Sequence, residues 1–129
     1  MSAASDYVEN LSLNWLLTTS TATRPTAWYV ALFTTDPTDA GTGTEVSTSG
    51  TAYARQSVAF TVTNDTAINS ANVLFPTATA SYGTVTHVGI YDAATGGHLL
   101  FHGAASTSKA IDTGDAYLIS SGNLAVTLA

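Results

Sequence analysis

The chain has 129 residues, 45% of them hydrophobic and only 9% charged, with three basic residues against nine acidic ones and a formal charge of −6. At this length one domain, residues 1–129, is expected, burying roughly two thirds of the surface its unfolded form exposes. Lysine and arginine are too few to displace counterions from a nucleic acid or to hold an anionic membrane, so neither is expected as a partner, and the lack of cysteine removes disulfides and thiolate zinc sites.

With so little charge, against roughly 25% in an ordinary domain, the surface must be largely Thr, Ser, Ala and Gly. A neutral surface is covered by a partner at small desolvation cost, which suits a subunit of a large assembly.

In chain order, "SDYVENLSLNWLL" (residues 5–17) predicts a helix within an N-terminal helical segment, 1–20. Asp6 and Glu9 have the spacing of a capping box, and Val8, Leu11 and Trp15 fall on one stripe, which predicts packing on a sheet with Trp15 as a core anchor or a contact to a neighbouring subunit. The apolar run "LSLNWLL" is broken by Ser12 and Asn14, is too short for a membrane span and lacks a basic region before it, so it does not read as a secretory signal. "TTSTATRPT" (18–26) reads as an extended connector, with Pro25 excluding helix.

From Ala27 to the end the pattern is strand and turn. Strands are expected at 27–34, 53–62, 72–75, 84–91, 98–103, 107–112, 116–119 and 123–128, and the long segment "DPTDAGTGTEVSTSG" (36–50) is expected as a loop. About eight short strands with one N-terminal helix predict an all-β fold, an antiparallel, jelly-roll-like β-sandwich over residues 27–129.

All three histidines lie in "THVGIYDAATGGHLLFHGA" (86–104), which reads as a hairpin. A four-residue loop from Ala93 to Gly96 would pair Ile90 with Leu99, Val88 with Phe101, and His87 with His102 on the opposite face, where His87 and His102 are the residues closest to a metal pair. No third ligand aims at them, so no metal site and no cofactor are expected.

Catalytic constellations are equally thin. No G-x-S-x-G motif is present, and "IDTGDA" (111–116) reads as a turn in which Asp112 accepts backbone hydrogen bonds rather than as a carboxylate pair with Asp115. The glycines of "GTG" (41–43) and "GG" (96–97) precede no helix and therefore build turns, not a phosphate site. Arg55, one of three cations, is expected in an internal ion pair or carbonyl clamp, with an intersubunit contact as the other reading. Candidate interface residues are Trp15, Asp36, Pro37, Thr38, Asp39 and Arg55, and the 36–50 loop and the N-terminal segment 1–20 are candidate interface segments because they are long and carry little charge.

Three blocks carry a resemblance: "YVALFTTDPTDAGTGTEVSTSGTAYARQSVAF", "ATASYGTVTHVGIYDAATGGHLLFHGA" and "SGNLAVTL". Together they resemble a family of small tailed-bacteriophage proteins labelled tail-fibre-like or hypothetical virion proteins, over nearly the whole chain. The resemblance implies a non-enzymatic structural subunit located in the phage particle and assembled in the host cytoplasm, with copies of itself and other virion proteins as partners. No stalk-forming repeat is visible, so the expectation is a capsid decoration or cement protein bound to the major capsid protein. The alternative is a tail-fibre or baseplate component that binds tail proteins and the host surface, through the Trp28 and Tyr29 strand or the 36–50 loop. A histidine-based metal enzyme is a remote third reading.

Overall fold

The computed structural model describes residues 3–128, and the fold is all-β and antiparallel with one helix. The chain begins with β1 (Ala3–Ala4) and α1 (Asp6–Leu17), then β2 (Tyr29–Phe33), β3 (Gln56–Ser57), β4 (Phe60–Thr63) and β5 (Thr66–Asn69). There follow β6 (Val73–Leu74), β7 (Gly83–Tyr91), β8 (Leu99–Ile111), β9 (Leu118–Ile119) and β10 (Ala125–Thr127). A five-stranded sheet in the order β1-β8-β7-β2-β3 packs against a three-stranded sheet, β10-β5-β4, and a two-stranded one, β6-β9, giving a sandwich-like body.

β2 shows why the sheet sits where it does. Its sequence, YVALF, is apolar at every position, which suits a strand covered on both faces. Val30 and Leu32 enter the main core with Val88, Ile90, Phe75 and Val126, while Ala31 and Phe33 join Tyr91 and Leu99 in a second cluster on the other face. Each buried aliphatic side chain contributes about 1.5–3 kcal/mol through removal from water. The outer cluster is covered by the 36–45 segment, a loop as the sequence suggested, which packs back on the sheet with Gly41 against Leu99. Thr34 N donates to Thr44 O, Val46 N to Leu32 O, and Pro37 is wholly buried.

Several elements differ from expectation. Ser5, not Asp6, caps the helix, its hydroxyl accepting from Val8 N at 3.2 Å, so the Asp6–Glu9 capping box does not form. The expected strand 53–62 splits into β3 and β4 as the chain passes from one sheet to the other. Strands 98–103 and 107–112 are one 13-residue strand, β8, which pairs with β7 up to Ala104 and again from Lys109 to Ile111, across a second irregularity at residues 105–108. β5, hidden in "NDTAINS", pairs with β4 through a tight turn in which Asn64 takes a left-handed conformation (φ 56°).

The β7–β8 register is the most consequential correction. Tyr91 pairs with Leu99 but Ile90 pairs with Phe101, so Leu100 is the extra residue of a bulge. The loop closes one residue later than expected, at Asp92 and His98, and the bulge adds a second step, so Val88 faces Gly103, Gly89 faces His102, and His87 faces Ala104. His87 and His102 therefore do not oppose each other. The loop itself runs from Asp92 to His98, whose backbone groups pair, and Asp92 Oδ1 accepts from His98 N at 2.7 Å. Gly97 at φ 72° is required there, since a Cβ would lie 2.5 Å from Asp92 Oδ1.

Candidate functional site

Around the hairpin the structure gathers Arg55, Glu45, Tyr53 and Tyr91. Arg55 forms a bidentate pair with Glu45 (Nε to Oε2 2.9 Å, Nη2 to Oε1 2.8 Å), and its Nη1 donates to the carbonyls of Ala93 and Gly96 at 3.0 and 2.8 Å. Its guanidinium carbon also lies 3.6 Å from the centre of the Tyr91 ring. The Tyr53 hydroxyl donates to Glu45 Oε2 at 2.7 Å and accepts from Leu32 N at 3.0 Å. Burial pushes the Tyr53 phenol far above its ordinary range, and the hydrogen bond to Glu45 adds to this. Burial works against the Arg55 charge, yet the hydrogen bonds and charge of Glu45 raise its pKa overall. Arg55, Glu45 and the Tyr53 hydroxyl are all engaged within the fold, and the cluster fastens the hairpin loop to the sheet.

The second cluster forms where the 36–45 segment crosses the sheet. His102, almost fully buried, donates from Nε2 to Asp39 Oδ1 at 2.7 Å, and its Nδ1 lies 3.9 Å from Asp36 Oδ1. His87 Nε2 lies 3.9 Å from the other Asp36 oxygen. Asp36, not direct pairing, thus links the two histidines singled out in the sequence. Among the described residues, the one group of three or more potential ligands with atoms mutually within 4.8 Å is Asp6, Glu9 and Asp39, all exposed, and it contains neither histidine. Acidic groups at Asp6 and Glu9 complement the positive end of α1.

The other sequence candidates fall in different settings. Asp36 and Asp39 are exposed; Asp36 Oδ1 accepts from Thr38 N at 2.8 Å, and Thr38 is exposed with φ 57°. Pro37 is buried beneath them and presents nothing to a partner. Asp112 does not accept with its side chain; Asp115 Oδ2 accepts from Asp112 N at 3.0 Å, so the two aspartates exchange the roles expected of them while the turn stands.

Trp15 is 61% exposed, and α1 buries no residue at all, so Trp15 is not a core anchor. Only the first turns of the helix touch the body, through Tyr7 and Val8, and the Tyr7 ring stacks on His98 at 4.0 Å. Leu13, Leu16 and Leu17 are exposed beside Trp15; they lie in the N-terminal segment put forward as an interface, but the sequence did not single them out. Their signal was present in "LSLNWLL", whose apolar residues encircle the helix instead of forming one stripe.

A cavity of about 560 Å³ opens at one mouth of the sandwich, lined by Trp28, Phe60, Val62, Phe101, Val126 and Leu128 among others. Among the described residues, Asp65 is the one charged side chain of its lining. No helix is long and apolar enough to cross a membrane, among the described residues.

The family described as Podophage GP4 fiber I protein gp80 matches this sequence over residues 3–127. The chain belongs to that family. It is a family of structural phage proteins with a fibre description, and the match spans the helix, all three sheets and both polar clusters. None of the curated proteins matches the chain.

Proposed function

We propose that this chain is a non-enzymatic subunit of the virion that decorates the outer head surface, binding the major capsid protein and reinforcing contacts between capsid subunits. The observation that carries a role as a subunit of an assembly is the overhanging end of α1, where Leu13, Trp15, Leu16 and Leu17 are presented to solvent on a chain with few charges. Support for a structural rather than chemical role comes from the polar clusters: Arg55, Glu45 and Tyr53 are saturated with internal partners, and His102 is engaged by Asp39. A second reading, a fibre or fibre-attachment component bound to tail proteins, is favoured by the family's description.

Labelling the protein with an antibody or small tag and imaging purified virions decides between the two. Label spread over the head supports decoration; label confined to the tail overturns it in favour of the fibre. If the histidines carried chemistry, His87→Gln with His102→Gln would abolish infectivity of otherwise assembled particles, and we expect particles that infect normally.

A further inference from the structure

α1 is anchored at one end only. Ser5 N donates to Leu100 O, and Tyr7 and Val8 lie against the core, whereas from Leu13 onward the helix overhangs the body. With 3.6 residues per turn, Leu13, Leu16 and Leu17 share one side of the helix, and Trp15 faces the opposite side with Val8 and Leu11. A helix apolar on all sides is the kind found buried within protein, not standing in water. These four side chains are 59–76% exposed, leaving about 500 Å² of surface in water, taking about 200 Å² for each large side chain. A stable protein interface needs about 800 Å² from each partner, so the helix end supplies most of one side.

The body carries a matching surface. Its cavity of about 560 Å³ is walled by Trp28, Phe60 and Phe101, and Val62 and Leu128, both well exposed, stand at its lining. The charges agree as well. Residues 10–23 contain no charged group, which lets two chains of net charge −6 approach there without like-charge contact. The first charge beyond them is Arg24, exposed and in no ion pair among the described residues, while Asp65 is, among the described residues, the one charged side chain lining the cavity.

We propose that the last two turns of α1 of one copy insert into this cavity of a second copy, with Arg24 meeting Asp65, joining the chain to itself head to tail. Such a contact is heterologous: each contact uses one helix and one cavity, and the growing assembly keeps one free cavity and one free helix, so it extends into a ring or a filament. The inference goes beyond the virion role above and is independent of head or tail placement.

The test uses sedimentation of the full chain from micromolar to millimolar concentration, with the Leu16→Asp helix variant and the Val62→Asp cavity variant. Both residues are exposed, so both variants should fold, as circular dichroism checks. The wild type is expected to associate, and each variant alone to lose at least tenfold in affinity, since a carboxylate would be buried unpaired. Mixed together, the two variants should form a one-to-one pair and nothing larger, because the helix variant retains its cavity and the cavity variant its helix. A wild type that stays monomeric throughout, a variant that associates like the wild type, or a mixture that yields no pair would each overturn the proposal. Localisation in the particle is a separate measurement, so failure here leaves the virion reading standing.

Discussion

Arg55 concentrates an unusual share of the molecule's polar structure for a chain with three cations. One guanidinium holds Glu45, the carbonyls of Ala93 and Gly96, and the face of Tyr91. The Arg55–Glu45 pair is partly buried, and losing its charged hydrogen bonds is expected to cost about 1.5–3 kcal/mol. Arg55→Ala is therefore expected to lower the unfolding free energy by about that amount in urea titration, and a loss below about 1 kcal/mol would contradict this picture. Arg55→Lys should recover little, since an ammonium lacks the fork that spans Glu45 and the loop carbonyls. Asp92 gives a pH-dependent counterpart. Burial opposes its charge, but hydrogen bonds from the His98 backbone and ring outweigh burial and hold its pKa below the usual carboxylate value. A carboxylate depressed in the fold stabilises it above the unfolded pKa of about 3.9, and the stabilisation disappears as pH falls through the lower folded value. The stability gap between wild type and Asp92→Asn should be full at pH 6 and close in acid; a gap unchanged down to pH 2 would exclude this role.

At the level of elements, the helix and the 36–45 segment behave in opposite ways. The helix, which looked like a packed amphipathic element, buries no residue, so Trp15→Ser should shift the thermal midpoint hardly at all, within about 0.5 kcal/mol. A drop of several kcal/mol would show that Trp15 is an anchor after all. The 36–45 segment, a loop as expected, is closely packed: a Cβ on Gly43 would lie 2.5–2.7 Å from backbone atoms of Pro37 and Asp36. Backbone cannot step aside as a flexible side chain does, so Gly43→Ala is expected to cost about 1–3 kcal/mol or more, read as a lowered denaturation midpoint. An unchanged midpoint would mean that the segment does not pack over the Phe33 and Tyr91 face as described.

For the whole molecule, low charge and an overhanging apolar helix describe a protein suited to assembly. A subunit that binds only assembled heads stabilises them by mass action, about 2.7 kcal/mol per site at a free concentration one hundred times Kd. Virions lacking this protein are then expected to release their genome at a lower temperature, and the purified chain, added back, to restore it. Unchanged heat release combined with lost adsorption to cells would favour the fibre instead.

Much of this was legible in the chain. Composition indicated a neutral surface, alternation and turn residues indicated an all-β antiparallel fold with one helix, and the blocks around 29–60, 78–104 and 121–128 indicated the phage family. These properties are local: they depend on side-chain period, backbone preference and counts, which neighbours in sequence decide. Tertiary structure alone decided the rest. The loop closes one residue later than its turn residues suggest and Leu100 adds a bulge, so partners along β8 shift by two: His87 and His102 stay on one face but lose their direct pairing, and nothing in "GGHLLFHG" marks either step. Likewise the helix sequence shows what would favour burial, but whether a surface exists to bury Trp15, Leu16 and Leu17 depends on where β1 places the start of the helix on the edge of the sheet. Contacts between residues distant in sequence are set by packing of the whole, and packing is not additive over segments.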